Sequence, residues 1–303
     1  MKIEKKITSI DLIYIGSSFE AIVFLKASDK FKILKIFCEK KRVTAELKEA
    51  ANLNNIEICF FDNLASLENL ISNCSPCIIF FIYQLDYLIP KFLTEKYKFY
   101  NIHRGSLIDN RGPTPESWSI LLGEKFSETS LHIIDERVDA GLLVKAVRFS
   151  IPEGSSILDL RLMHNSNLPI LINAMLNNEN NNIKGTYIPR TNKGYRPWIQ
   201  DKDITIDFQK DNLLSFKNKF LTQLGFKGII VIINQKKYFI NNYISYKPVD
   251  TYVGESNQNG FLLITITSKY ILIYWKKMMH LLYINTKSIN SIPKKNSINK
   301  NLI

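Results

Sequence analysis

Long apolar runs are missing from this 303-residue chain, and so are the commonest nucleotide-binding signatures. No stretch of 18 residues is both apolar and free of charge, which is what a transmembrane helix needs. The first strand–helix turn, GSSFE, has a single glycine, so the GxGxxG pattern of a dinucleotide fold is absent, and so is a P-loop. These absences argue against a membrane-spanning protein, an NAD enzyme and a P-loop NTPase.

Cysteine and histidine are scarce, with four of each in the chain. Cys38 and Cys59 lie in apolar runs that are typical of reduced core thiols. Cys74 and Cys77 form one CxxC pair with no second pair and no nearby histidine, which favours a structural role over a redox or zinc site. The charged N-terminus leads into an apolar segment interrupted by Asp11, so we predict a first strand, no signal peptide and a cytoplasmic protein.

Arginine is absent from residues 201–303, although that part carries 15 lysines and only six acidic residues. Arginine is the side chain best suited to paired contacts with phosphates and guanines. The lysine excess therefore favours a solvated surface over a surface that binds nucleic acid or a membrane.

The order of apolar and amphipathic segments indicates the fold class. Residues 10–103 alternate short apolar runs with helix-like segments, which predicts an α/β fold with a Rossmann-like, mostly parallel sheet and helices on both faces. Residues 156–178 are predicted to form one long helix with a proline inside it. We predict a catalytic domain over 1–185, a linker over 186–200, a small β-rich, OB-like subdomain over 201–285 and a disordered tail over 286–303.

Turn-forming and polar residues follow the apolar run before Tyr100. Asn101 and His103 are two positions apart, so on a strand they point to the same face. Downstream come Arg111-Gly112, Gly123-Glu124 and Asp139-Ala140-Gly141. Functional side chains in parallel sheets gather at the carboxyl ends of the strands, which is where Asn101 and His103 are predicted to lie.

This pattern, with 36 positions between His103 and Asp139, resembles that of the folate-dependent formyltransferases. The family includes methionyl-tRNA, glycinamide ribonucleotide and sugar formyltransferases, and the resemblance is strongest over residues 75–150. It implies an enzyme that passes a formyl group from N10-formyltetrahydrofolate to an amine, without a metal. It also implies Asn101, His103 and Asp139 as the catalytic residues.

These residue types suit that chemistry. Attack of an amine on the formyl carbon produces an oxyanion, which Asn101 or His103 can stabilise while His103 moves a proton. Asp139 can hold the charge of His103 or accept the proton through water. Asp135 is a rival acid whose spacing does not fit the family, and His132 is predicted to be a structural residue of its strand.

The resemblance also implies where folate and the acceptor bind. The residues implied for folate binding are Ile82, Tyr83, Gln84, Leu88, Arg137 and Val138. Those implied for acceptor binding are Arg104, Gly105, Ser106 and Arg111. Two of the loop positions depart from the family pattern, since Arg104 replaces a small residue or proline and Ile108 replaces a proline.

The favoured acceptor is a nucleotide-linked amino sugar, such as a dTDP-amino-deoxyhexose used for O-antigen or other lipopolysaccharide biosynthesis. Arg104, Arg190, Lys193 or Arg196 could then meet the nucleotide phosphates. Methionyl-tRNA enzymes usually carry a basic, glycine-containing insertion after the second strand, and the run FCEKKRVTAELKEAAN has no such insertion. Charged tRNA, another small amine, or a binding module with a relic site stay as alternatives, and a homodimer is a further expectation.

Overall fold

The computed structural model describes ten stretches of the chain: residues 9–139, 141–181, 185–188, 194–207, 210–233, 236–240, 244–245, 261–266, 270–275 and 280–285. These residues fall into two compact units. The first unit lies within residues 1–119, 124–153 and 159–198, and the second within 120–123, 154–158 and 199–303. The domain boundaries expected from the sequence stay predictions, and the expected tail lies outside the described residues.

The first unit is built on one eight-stranded sheet in the order β3-β2-β1-β4-β5-β6-β7-β8. Its strands are β1 (Ile10–Gly16), β2 (Phe31–Glu39), β3 (Glu57–Phe61), β4 (Ile79–Tyr83), β5 (Lys98–His103), β6 (Phe126–Ile133), β7 (Leu142–Ser150) and β8 (Thr186–Tyr187). The pairs from β3 to β5 are parallel, and the pairs from β5 to β8 are antiparallel. The predicted Rossmann-like, mostly parallel sheet is therefore confirmed.

Helices cover both faces of this sheet. They are α1 (Phe19–Ala27), α2 (Ala45–Leu53), α3 (Leu64–Ser72), α4 (Lys91–Lys96), α5 (Pro115–Leu121), α6 (Ile157–Ser166) and α7 (Leu168–Asn181), with a 3-10 turn at Lys40–Arg42. Leu12 and Tyr14 of β1 pack into the core beneath α1, α2 and α7, whereas Ile13 and Ile15 pack beneath α3 and α4. Both faces of β1 are buried, which is why its sequence is a nearly continuous apolar run.

The long helix predicted over 156–178 is wrong, because the chain forms two helices that meet at Asn167. Asn167 accepts a hydrogen bond from the backbone N–H of Leu171 at the start of α7. Pro169 is the second residue of α7, where the missing N–H of proline removes no helical hydrogen bond. The proline therefore lies in the first turn of a new helix and not inside a continuous one.

The second unit contains two helices and six strands among its described residues. They are α8 (Asp201–Ile204), α9 (Leu213–Thr222), β9 (Ile229–Ile233), β10 (Lys236–Ile240), β11 (Ile244–Ser245), β12 (Phe261–Ile266), β13 (Tyr270–Trp275) and β14 (His280–Asn285). Strands β9 and β10 form a hairpin, and the other four form an antiparallel sheet in the order β11-β14-β13-β12. The small β-rich subdomain is confirmed, and its likeness to an OB-fold stays a prediction.

No helix in the described stretches combines the length and the apolar composition that a membrane crossing requires.

Candidate active site

The site forms where β5 ends beside its antiparallel neighbour β6. Asn101 pairs with His132 in the sheet register, and His103 pairs with Ser130. Asn101 and His103 point to the same face of β5, as expected for residues two apart. Asp139 reaches this point from the loop after β6, so the structure brings together the three predicted catalytic side chains.

His103 is held in one ring orientation by two oxygen atoms. Its Nε2 lies 2.8 Å from the backbone oxygen of Asn110, and its Nδ1 lies 3.5 Å from Oδ1 of Asp139. A carbonyl oxygen can only accept, so Nε2 must carry a proton in this arrangement. Nδ1 is therefore the nitrogen that can exchange a proton at the site. The side chain is only 6% exposed, so few waters compete for either nitrogen.

Asp139 divides its two carboxylate oxygens between two partners. Oδ2 accepts a hydrogen bond from the backbone N–H of Gly112 at 3.0 Å, which leaves Oδ1 to face His103. The backbone of Asp139 has a φ of 43°, in the left-handed region. Residues other than glycine adopt this conformation at an energetic cost, which surrounding contacts have to offset. The bond from Gly112 is one such contact.

His132, which the sequence predicts to be structural, lies beside Asn101 and Asp139 in the structure. Its Nε2 lies 3.0 Å from Nδ2 of Asn101 and 4.0 Å from Oδ1 of Asp139. Burial lowers the pKa of His132 to about 4; the carboxylate of Asp139 opposes this shift, and the neighbouring His103 adds to it. A neutral His132 can accept one N–H of the Asn101 amide through Nε2, which leaves the second N–H of that amide free to donate to an oxyanion.

The loop between β5 and α5 carries two of the groups that hold the site. Nδ2 of Asn110 donates to the backbone oxygen of Pro115 at 2.8 Å and to Oγ of Ser119 at 2.9 Å. Oγ of Ser130 donates to the backbone oxygen of Gly105 at 2.8 Å. A Cβ on Gly105 would lie 2.5 Å from the Asn110 oxygen and 2.9 Å from Nε2 of His103. The His103–Asn110 contact therefore requires a glycine at position 105.

The residues predicted for acceptor binding mostly build this loop. Arg104 forms a buried ion pair with Glu116, with NH1 3.0 Å from Oε1. Oγ of Ser106 accepts from the backbone N–H groups of Ile108 and Asp109, which shapes a turn. The backbone of Arg111 donates to Gly194 at 2.7 Å and accepts from Arg196 at 2.9 Å, and its side chain is buried. Arg190 and Lys193 lie outside the described residues.

The residues predicted for folate binding lie at the ends of β4 and β6. Ile82 and Tyr83 are buried in β4, and Ile82 pairs directly with Asn101 of β5. Gln84 follows at a φ of 68°, and its side-chain oxygen accepts from Oγ of Ser17 at 3.1 Å. Leu88 is 65% exposed, which leaves it free to contact a ligand.

On the other side of Asn101, the loop after β6 carries Arg137 and Val138. The Arg137 guanidinium is paired with Asp135 through NH2 and Oδ2 at 2.6 Å, and its NH1 donates to the backbone oxygen of Ile188. These bonds fix the loop that leads into Asp139. The carboxylate of Asp135, the rival acid suggested by the sequence, is therefore bound by the guanidinium of Arg137.

Within the described ranges, no three His, Cys, Asp or Glu side chains come together as metal ligands. All four cysteines are free thiols; Cys74 is half-buried and Cys77 is exposed. The structural role expected for Cys74 and Cys77 stays a prediction.

Comparison with known proteins gives sequence relatives of one kind. No protein-family model matches the chain. The methionyl-tRNA formyltransferase of Prochlorococcus marinus (strain MIT 9312) is 25% identical over 297 residues, which cover 89% of this chain and 88% of that protein. The chain is thus similar over most of its length to a formyltransferase.

Solved structures give the fold. HypX from Aquifex aeolicus, in complex with tetrahydrofolic acid, matches with a TM-score of 0.62 and 16% identity over 90% of this chain and 43% of HypX. The chain therefore spans less than half the length of HypX. WlaRD, a sugar 3N-formyl transferase in the presence of dTDP and 5-N-formyl-THF, matches with a TM-score of 0.59 and 19% identity over 93% of this chain and 99% of WlaRD. At these identities the likeness shows the fold.

Proposed function

We propose that this chain, which has the fold of the folate-dependent formyltransferases, transfers the formyl group of N10-formyltetrahydrofolate to the amine of a nucleotide-linked amino sugar. Its sequence relatives are methionyl-tRNA formyltransferases, and its structural neighbours include sugar N-formyltransferases. The single observation that carries the proposal is the placement of His103. Its Nε2 is fixed on the Asn110 oxygen, and its Nδ1 faces Asp139 at the carboxyl end of a sheet strand.

The geometry supports direct transfer. The lone pair of the acceptor nitrogen forms a bond to the formyl carbon, and the carbonyl oxygen becomes an oxyanion. The free N–H of Asn101 is the donor that we assign to that oxyanion, because preorganised donors in a water-poor site stabilise developing charge. The bond from carbon to N10 then breaks, the carbonyl re-forms, and tetrahydrofolate leaves.

His103 and Asp139 are assigned the proton transfer. Nδ1 of His103 takes the proton that the attacking amine loses, and the carboxylate of Asp139 stabilises the resulting imidazolium at 3.5 Å. The same proton can then pass to N10 as that nitrogen leaves, so the enzyme returns to its starting state. The reaction needs no nucleophilic side chain.

We assign folate to the ends of β4 and β6, on either side of Asn101. Gln84, Leu88, Arg137 and Val138 would contact the folate, with Ile82 and Tyr83 packing beneath. Two observations support this assignment. The structurally similar HypX and WlaRD were solved with folates, and the exposed Leu88 offers an apolar contact to a flat ring.

The connection after β2 supports a small acceptor. The 3-10 turn Lys40–Arg42 ends two residues before α2 begins, so no insertion extends from this edge of the sheet. NH1 of Arg42 is bound to the backbone oxygen of Gln84 at 3.1 Å and to Asp86 at 3.0 Å. The basic insertion typical of methionyl-tRNA enzymes therefore has no counterpart in this segment.

Methionyl-tRNA is the second candidate acceptor, because the curated relatives are methionyl-tRNA formyltransferases. One assay separates the two acceptors. The full chain is mixed with N10-formyltetrahydrofolate and, in separate reactions, with dTDP-3-amino- and dTDP-4-amino-dideoxyhexoses or with methionyl-tRNA. We expect transfer to a dTDP-amino sugar; transfer to methionyl-tRNA alone would refute the sugar acceptor, and transfer to neither would refute both acceptors.

The site assignment has its own variant. His103→Asn should lower kcat by at least about 10²-fold, because the proton carrier is lost. His164→Gln is the matched control, since His164 is buried in the same unit and bound to Thr129 instead of the site. A His103→Asn enzyme with normal kcat would remove His103 from the mechanism. The cytoplasmic location, the homodimer and the role in O-antigen or lipopolysaccharide biosynthesis stay predictions from the sequence.

A further inference from the structure

Arg104, the residue that follows His103, occupies an unusual place for a charged side chain beside a binding site. Its side chain is 14% exposed, and its guanidinium lies 5.3 Å from the ring centroid of Tyr83. NH1 is 3.0 Å from Oε1 of Glu116, which is 6% exposed. Nε of Arg161, on α6, approaches the same carboxylate oxygen at 3.3 Å.

The Glu116 carboxyl of this cluster stays ionised beside the two arginines. Burial alone would raise the pKa of Glu116, but the positive charges of Arg104 and Arg161 outweigh it and lower that pKa to about 2. Glu116 is therefore ionised at neutral pH. Moving Arg104 out of the contact would separate a buried guanidinium from its carboxylate, which is costly where little water can replace the partner.

The two partners stand at the two ends of one loop. Arg104 begins the loop after β5, and Glu116 lies in the first turn of α5. β5 ends at His103, and the ten residues 105–114 lie between Arg104 and the start of α5 at Pro115. This loop supplies the Asn110 oxygen that holds Nε2 of His103 and the Gly112 N–H that holds Asp139.

We propose that Arg104 is a positioning residue: its ion pair with Glu116 clamps the two ends of this loop, so that the Asn110 oxygen keeps the proton on Nε2 of His103 and leaves Nδ1 to Asp139. The inference rests on the proposed formyl transfer. It replaces the acceptor contact that the sequence suggested for Arg104, because the guanidinium is already enclosed by Glu116 and Tyr83.

The kinetic test uses the full chain and the acceptor found active above. Arg104→Met keeps the length of the side chain and removes the charge, and Arg104→Lys keeps the charge. A displacement of about 1 Å at a reacting group can cost about 10²-fold in rate, so Arg104→Met should lower kcat by about that factor. The KM values for the formyl donor and for the acceptor should stay within about threefold of wild type. The loss of orientation destabilises the transition state and leaves ground-state substrate binding intact. Arg104→Lys should recover most of the loss.

Arg161→Met is the matched control. Arg161 contacts the same carboxylate oxygen but belongs to α6 and not to the loop. The kcat of Arg161→Met should stay close to that of the wild type. The double variant Arg104→Met, Glu116→Gln removes both halves of the clamp and leaves Arg161 in place, so its kcat should remain as low as that of Arg104→Met. A double variant that regains kcat would show that Arg104 serves only the stability of the fold.

A second readout does not depend on turnover. In protein labelled with 15N-histidine, the neutral ring of His103 should appear as the Nε2–H tautomer in the wild type and as a mixture in Arg104→Met. A wild-type tautomer that survives in Arg104→Met would overturn the proposal, as would a raised acceptor KM with normal kcat, which marks a direct substrate contact. A wild type that shows the Nε2–H tautomer and transfers no formyl group would refute the proposed function and leave the clamp intact.

Discussion

Replacing Asp139 with asparagine should disable the site without disturbing the fold. The left-handed backbone at this position, with a φ of 43°, is one that asparagine tolerates as well as aspartate does. The Gly112 N–H needs an acceptor, so the amide oxygen of the new residue would take the place of Oδ2. The amide NH2 would then face Nδ1 of His103 and donate to it, which occupies the lone pair that has to receive the proton.

The magnitude follows from the distance between the two charges. At 3.5 Å and an effective dielectric constant of about 20, an imidazolium and a carboxylate attract each other by about 5 kcal/mol. Asp139 is 18% exposed, so water reduces this value somewhat. A loss of about 4 kcal/mol of transition-state stabilisation corresponds to a decrease in kcat of about 10³-fold. General acid–base catalysis typically contributes about 10²–10⁴-fold, which brackets the same result.

The assay is steady-state formyl transfer from N10-formyltetrahydrofolate, followed by the appearance of tetrahydrofolate. Glu136→Gln is the matched control, because Glu136 is a nearby carboxylate in the same loop that forms a partly exposed ion pair with Lys91. Its kcat should remain within about threefold of wild type, as expected when a partly exposed ion pair outside the chemistry is removed. An Asp139→Asn enzyme that keeps more than about a tenth of the wild-type kcat would refute the assignment of Nδ1 as the proton carrier.

Two further predictions concern the loop and the buried histidines. Gly105→Ala should lower kcat by at least about tenfold, because its Cβ would displace the Asn110 oxygen 2.5 Å away and with it the bond that orients His103. His164 should make the protein less stable in mild acid: burial, aided by the charge of Arg104 and opposed by Glu116, lowers its pKa to about 3. The unfolded chain therefore binds more protons than the folded one between about pH 3 and 6.5, so unfolding free energy should fall by about 2 kcal/mol from this group as pH drops from 6.5 to 5.

Each of these predictions has a control. Gly154→Ala adds a Cβ that meets nothing within 4 Å, so it should cost stability through its backbone φ of 80° and leave kcat near wild type. Equal losses of kcat in the two glycine variants would contradict the contact argument. For His164, urea unfolding is compared at pH 6.5 and 5, and His164→Gln should show a smaller difference between the two than the wild type does. An equal difference in both would mean that His164 does not set the pH dependence.

The parallel part of the fold could be predicted from the sequence, because a strand that is buried on both faces is a nearly continuous apolar run. Strand β4 is apolar at every position and β1 is interrupted only by the exposed Asp11, and amphipathic segments between the strands indicate crossover helices. The break at Asn167 was not readable in the same way, because the apolar spacing of α6 continues into α7. The position of Pro169 was the available signal, since proline is favoured in the first turn of a helix.

Only part of the site could be predicted from the sequence. Which residues share a face can be inferred within one strand, whereas a contact between two strands cannot. Asn101 and His103 share a face of β5 whatever lies beside it, whereas the contact of His132 with Asn101 exists only in the antiparallel register of β6. A shift of that register by one residue would turn His132 to the other face of the sheet. Arg104 shows the same limit, because its charge suggested a ligand contact and only the position of Glu116, twelve residues later, reveals a partner within the chain. Local sequence therefore identifies the groups that do chemistry, and tertiary packing decides which of their neighbours hold them in place.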